Sequence, residues 1–326
     1  MLKYTCLNLI NHFYILMKHL YQLSIILILF SCNTFQNQEK NNTPLQTIET
    51  ITLLGDTLLS PEIKDGKSFN QFKSSKIKYF DEKNDSNNLI WYGRRTAYLG
   101  YYQEAIKLFT LGIKNHPNDA RFYRHRGHRY ISTRQYNKAI NDFKKAVILI
   151  KNKEDQIEPD GLPNSKNIPL STLHGNIWYH LGLAHYLKND MENALNSFNN
   201  RSVTHKYDDN IVSGGHWLYM INRILNKTDK SNAVLNEVHV DMDIIENMSY
   251  HQSCLFYKGE LQESEMKMDE VALYTLANWY VYEKHDTTKA KEYYQTLLET
   301  GNPYSFAYIA GEADWKRLVN NINNAL

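Results

Sequence analysis

The side chains with the most chemistry to offer in this 326-residue chain are basic. Between Ala120 and Asn141 there are six Arg or Lys and no Asp or Glu, although the whole chain carries a formal net charge of only +2. Arg94, Arg121 and Arg124 offer planar, forked donors that match a carboxylate or a phosphate. His125 and His128 are three apart and His180 and His185 five apart. No His-Glu-x-x-His run accompanies them, no acid completes a cluster, and the neighbouring arginines repel a cation, so no metal is expected. The sequence has no Gly-x-Ser-x-Gly elbow, Walker loop or Gly-x-Gly-x-x-Gly, so no cofactor and no enzyme is expected. Acid–base work by His128 is the one catalytic reading the residue types leave open. The near-neutral balance argues against a nucleic-acid binder. A mean hydropathy of -0.55 excludes a polytopic membrane protein.

Three cysteines cannot staple a fold of this length. Cys254, between Ser253 and Leu255-Phe256, reads as a buried, inert thiol. Cys32 ends a different pattern. An apolar run from Leu20 to Phe30, broken only by Gln22 and Ser24, follows Lys18-His19 and closes as Leu29-Phe30-Ser31-Cys32. That run is short for a membrane span and has the length of a signal-peptide core. A Cys after a small residue, with Leu three positions before it, resembles the lipobox of bacterial lipoproteins. The resemblance implies a signal peptide over 1–31, cleavage before Cys32, and acylation of Cys32, with Met1 or Met17 as the start. It also implies a lipid-anchored chain in the bacterial cell envelope, on the outer membrane and facing the periplasm. The competing reading is an uncleaved anchor helix. Residues 32–50 are expected to form a polar tether.

The elements that must position the basic residues are written in a repeat. Gly93 and Gly127, Tyr102 and Tyr136, Ala105 and Ala139, and Phe109 and Phe143 are each separated by 34 residues. Small residues at fixed offsets let two helices approach, and the Phe fills the remaining gap. This period and pattern resemble the tetratricopeptide repeat, a helix–turn–helix unit. The resemblance implies an all-α, tetratricopeptide-type helical repeat array (an α-solenoid) with about five units, at 86–119, 120–153, 175–208, 214–247 and 271–304, and with end-capping helices. The unit at 214–247 is degenerate, with Ile221 at the small position and Glu237 at the plug. Residues 154–174, with Pro159, Gly161, Pro163 and Pro169, are an insertion. Tyr250–Glu260 is expected to add a helix. Residues 51–85 form an N-terminal capping segment through Phe69, Phe72, Ile77 and Phe80. A terminal helix buries Phe306, Ile309, Ala310, Ala313 and Leu318 and leaves Asp314, Lys316 and Arg317 outside. Ile90–Gly100, Tyr123–Arg129, Ile177–Leu183 and Phe306–Glu312 are also similar to a group of bacterial tetratricopeptide proteins to which no activity is attached.

In tetratricopeptide proteins the first helix of each unit lines a concave groove. The resemblance therefore places Asn87, Ile90, Arg94, Ala97 and Tyr98 there, then Arg121, Arg124, His128, Ile131 and Ser132, then Asn176, Tyr179, Leu183, Tyr186 and Leu187. The candidate binding residues are Arg94, Tyr98, Arg121, Arg124, His128, Tyr179 and Tyr186. Some members hold a partner's terminal carboxylate with Lys, Asn and Arg on these faces, but here Ile90 and Arg94 replace the Lys and Asn. The expected function is a lipid-anchored, non-enzymatic scaffold that binds a protein or peptide through this groove. The alternative is binding, with or without hydrolysis, of a small anionic ligand. The competing structural reading pairs the arginines with acids such as Asp155 and Asp160, with Arg126 structural. The insertion is expected to fold over the groove as a lid shaped by Pro163 and Asn164, or to be ornament.

Overall fold

Four of the five helical hairpins begin at a capping side chain, and all five turn at a left-handed residue. Asp85 accepts hydrogen bonds from the backbone N–H of Asn87 and Asn88, and Asp119, Thr172, Asp269 and Asp286 do the same for the helices they precede. Five turns pass through the left-handed region, at Gly100, Arg134, Asn189, Asn226 and His285. At Arg134, for example, Arg134 N donates to Ile131 O at 3.0 Å and Gln135 N to Tyr130 O at 2.8 Å, which satisfies carbonyls at the helix end. The same device at five places marks five helix–turn–helix units.

The structure, a computed structural model, describes residues 46–202 and 207–325. The signal segment and Cys32 lie outside the described residues. The part from Ile48 onward is one body. Strands β1 (Ile48–Ile51) and β2 (Thr57–Leu59) form an antiparallel hairpin, followed by α1 (Lys67–Asp81). The helical pairs are then α2 (Ser86–Tyr98) with α3 (Tyr102–Asn115), α4 (Ala120–Ser132) with α5 (Tyr136–Ile150), and α6 (Leu173–Leu187) with α7 (Met191–Ser202). Next come α8 (Asp208–Ile224), the short α9 (Thr228–Ala233), α10 (Met248–Lys258), the pair α11 (Glu270–Tyr282) and α12 (Thr287–Thr300), and α13 (Phe306–Ala325). No helix among the described residues is long and apolar enough to cross a membrane.

The repeated glycines are points of contact. A Cβ on Gly93 would lie 2.5 Å from the Phe109 ring, on Gly127 2.8 Å from Phe143, and on Gly182 2.7 Å from Phe198. Each Phe is buried, so the two helices of a unit meet at Gly against ring. Phe109 also stacks on His125 of the next unit at 5.4 Å.

Four expectations need correction. Ile48–Thr50 are not tether, because they form β1 and carry the buried Glu49 and Thr50 into contact with Gln103 and Thr133. In α1 it is Phe72 and Tyr79 that pack most closely on Tyr92, with half-exposed Phe80 at its edge, while Ile77 is exposed; the helix turns its Tyr79 side inward. The fourth unit starts at Asp208, six residues before 214, and its second helix shrinks to six residues. Asp314 is buried, because α13 runs across the first helices of the units and does not merely close the end. Phe143→Ala should lower the stability of the body by about 3–5 kcal/mol in urea unfolding. Ile148→Ala, on the same helix but 67% exposed, should stay within about 0.5 kcal/mol.

Candidate functional site

Helix α2 carries Arg94 and Tyr98, α4 carries Arg121, Arg124 and His128, and α6 carries Tyr179 and Tyr186. Because α4 contacts both α2 and α6, these side chains share one face of the array. Each is already engaged by the chain's own groups. Arg94 donates to Pro159 O at 2.7 Å and to the Tyr98 hydroxyl at 3.2 Å. Arg124 is buried and pairs through Nε with Glu158 at 3.0 Å. Arg121 forks onto Asp119 and reaches back to Asn87 Oδ1 at 2.6 Å and Ser86 Oγ at 3.0 Å, which ties α4 to α2. His128 packs between His180 and Phe306, with ring centroids at 4.5 and 5.2 Å.

The aromatic end of the face is equally occupied. The Tyr179 hydroxyl accepts from Trp217 Nε1 at 2.9 Å. Tyr186 is fully buried and donates to Asp314 Oδ2 at 2.9 Å, where Tyr274 also donates at 2.7 Å. Arg317 pairs with the same carboxylate. The concave face is therefore covered by two pieces of the same chain: the insertion at Glu158–Gly161, over Arg94 and Arg124, and helix α13, over His128 and Tyr186. The physical reason is charge. A guanidinium withdrawn from water is costly unless polar groups meet it, and the insertion supplies Glu158 to Arg124 and the carbonyls of Pro159 and Gly161 to Arg94 and Arg95.

The insertion does supply an acid to the basic face, but it is Glu158 and not Asp155 or Asp160. Its lid character rests on Glu158–Gly161, with Asn164 bonded instead to Glu246 at 2.8 Å. Arg126 is structural: it forks onto Asp142 at 2.7 Å. Cys254 is buried, which pushes its thiol up, and the thiol donates to Val212 O. Two decisive residues escaped the pattern. Arg134 pairs with Glu312 at 2.8 Å, both almost wholly buried, and donates to Pro303 O at 2.6 Å. Glu312 also accepts from the backbone N–H of Leu53. One carboxylate thus joins the second unit, the N-terminal hairpin and α13. A signal was present: Arg134 stands where the first unit has Gly100, at a turn that costs a non-glycine residue strain.

Burial governs the ionisation of this face. It holds His125, His128 and His180 well below the usual imidazole value, helped by neighbouring arginines, and holds His216 at about 3. It also lowers Arg129 and Arg201 to about 10. Among the described residues no group of three or more His, Cys, Asp or Glu is placed to hold a metal ion.

No protein-family model matches the sequence, and no curated protein matches it. Among solved structures the chain is similar to a tetratricopeptide repeat protein from Parabacteroides merdae, at 14% identity over 74% of this chain and 92% of that one, with a TM-score of 0.47. It is also similar to YrrB, described as a tetratricopeptide protein with an unusual peptide-binding site (13% identity, 75% and 99% covered, TM-score 0.42). A third is PilF of Pseudomonas aeruginosa (11% identity, 76% and 90% covered, TM-score 0.44). These are likenesses of fold. The 34-residue spacing of the first two units, the turns shared by all five and the Gly–Phe contacts of three make the chain an all-α, tetratricopeptide-type helical repeat protein.

Because their pKa values are lowered, the buried imidazoles bind fewer protons in the folded chain than in the unfolded one. Their stabilising contribution is complete above about pH 6.5 and is lost as the pH falls toward their folded values. Urea unfolding between pH 7 and 5 should show stability falling by up to about 1.4 kcal/mol per pH unit for each such imidazole. His128→Leu should remove one increment of that slope.

Proposed function

We propose that this chain is a lipid-anchored, non-enzymatic repeat scaffold that holds a protein or peptide partner in the bacterial cell envelope. The observation that carries the binding role is the way the first units grip extended backbone. Arg94 and Arg95 take the carbonyls of Pro159 and Gly161 at 2.7 and 2.8 Å, and Arg124 takes a carboxylate between the same helices. Guanidinium groups arranged this way suit a peptide, whose carbonyls recur at regular spacing. The non-enzymatic reading is supported by the state of the reactive groups: His128 is desolvated and packed against other rings, and Cys254 is buried. The small-anion alternative has less support, since Glu158 already occupies the carboxylate position beside Arg124. A nucleic-acid role is also disfavoured, because Arg121, Arg124, Arg126 and Arg134 each face an internal acid.

The anchor rests on Leu29-Phe30-Ser31-Cys32. Attached acyl chains contribute roughly 0.8 kcal/mol per buried CH₂, enough for firm anchoring when two or more are present. The scaffold would then face the periplasm from the outer membrane. In a bacterial host fed labelled palmitate, the wild-type chain should incorporate label and pellet with membranes, and Cys32→Ala should do neither. Crosslinking of the wild type should enrich one partner over an unrelated tagged lipoprotein. A soluble, unlabelled wild type would contradict the anchor, and no specific partner would contradict the scaffold.

A further inference from the structure

Residues Gln156–Gly161 are held as a peptide ligand is held. The carboxylate of Glu158 meets Arg124 Nε at 3.0 Å and Asn176 Nδ2 at 3.1 Å. The next carbonyl, of Pro159, goes to Arg94, and the carbonyl two residues further, of Gly161, goes to Arg95. Gly161 is pressed so close to Tyr98 that a Cβ would lie 1.9 Å from its hydroxyl oxygen. The face therefore reads an acid, two backbone carbonyls, and a small residue three positions after the acid.

The strap buries little apolar surface in return. Ile157 is 50% exposed and Leu162 is 66% exposed. A cavity of about 180 Å³ remains beneath it, bounded by Ile90, Arg94, Arg121, His125 and Glu158. Its far end is tied by Lys166–Asp243 at 2.7 Å, between largely exposed side chains, a kind of pair that contributes little. The loop it is tied to is firm: buried Asp209 accepts from the backbone N–H of Ile245, Glu246 and Asn247 at 2.7–2.9 Å. The strap is thus recognised side chain to backbone on one edge, and paired on the other by Glu158 N to Ser171 O and Leu173 N to Gln156 O at 2.9 Å. Beyond Gly161 it is held by polar bonds alone, Asn164 to Glu246 at 2.8 Å and Lys166 to Asp243.

We infer that the face formed by Arg94, Arg95, Arg124 and Asn176 is a docking surface for an extended acidic segment of a partner protein, and that Gln156–Gly161 is a built-in competitor for it. The inference rests on the scaffold reading and adds to it the chemistry of the partner: an Asp or Glu followed three residues later by Gly. A competitor in the same chain acts at high effective concentration. The apparent affinity for the partner is then reduced by the fraction of time the strap is open, and releasing the strap restores it.

The test is a titration of the full chain with a fluorescein-labelled peptide of the sequence Asp155–Pro163. Glu158→Gln, which weakens the competitor, and Gly161→Ala, which displaces it from Tyr98, should each bind the peptide at least about tenfold tighter than wild type. A peptide with Gln in place of its Glu should lose that gain, as should Arg124→Ala added to either variant. Hydrogen exchange on the wild type provides a measurement that depends on no variant: excess peptide should speed exchange at the Glu158 amide, which is bonded to Ser171 O at 2.9 Å. Folded variants that bind no tighter than wild type, or unchanged exchange at Glu158, would overturn the inference. Crosslinking separates it from the parent reading. Equal partner capture by wild type and strap variants removes the competitor and keeps the scaffold, whereas no specific partner for any of them removes both.

Discussion

Arginines withdrawn from water need counter-charges, and meeting that need organises this molecule. The first helix of the second unit and its turn carry five arginines, of which Arg121, Arg124, Arg126 and Arg134 each meet an acid (Asp119, Glu158, Asp142 and Glu312) while Arg129 lies over the Tyr102 ring. Two of those acids are local. The other two arrive from the insertion and from α13, and Glu312 brings the N-terminal hairpin with it through Leu53. A buried ion pair adds little net stability against an apolar core of the same shape, but leaving one partner alone is strongly unfavourable. The appended segments are therefore held in place by what their absence would expose.

The repeat itself was legible from residue types because its causes are local. Gly against Phe across a hairpin occurs in three units, 34 residues apart in the first two, and leaves a visible period. The extra helix expected at Tyr250–Glu260 corresponds to α10, and the apolar stripe of α13 marks Ile309, Ala310 and Ala313, all buried. The long-range covering of the face was not legible. A helical period tells which side of α13 is apolar, yet Asp314 and Glu312 are buried as well, because Tyr186, Tyr274 and Arg134 wait for them on distant helices. No spacing rule links position 134 to 312. The identity of Glu158 as the acid of the insertion was hidden for the same reason: Asp155 and Asp160 flank it, and only the path of the strap selects one. The candidate residues were brought to one face, which the insertion covers at Glu158–Gly161 and α13 covers at Asp314.

The covered face sets what kind of scaffold the proposed role requires. A repeat array with an open groove binds whatever fits; here the groove is a formed internal surface, with buried tyrosine and histidine layers at one end and a gripped peptide segment at the other. The tyrosine end, around Asp314, is too deeply built into the core to release. The strap end is held by hydrogen bonds to backbone and one carboxylate, chemistry that another chain can reproduce. In the proposed scaffold, stability and recognition thus occupy opposite ends of the same set of helices.

That the body depends on charge neutralisation across its covered face is tested most directly by a double-mutant cycle on Arg134 and Glu312, read by urea unfolding. Arg134→Met and Glu312→Leu should each cost about 3–5 kcal/mol, and the double variant should cost several kcal/mol less than their sum. Additive losses, or single variants within about 0.5 kcal/mol of wild type, would contradict it.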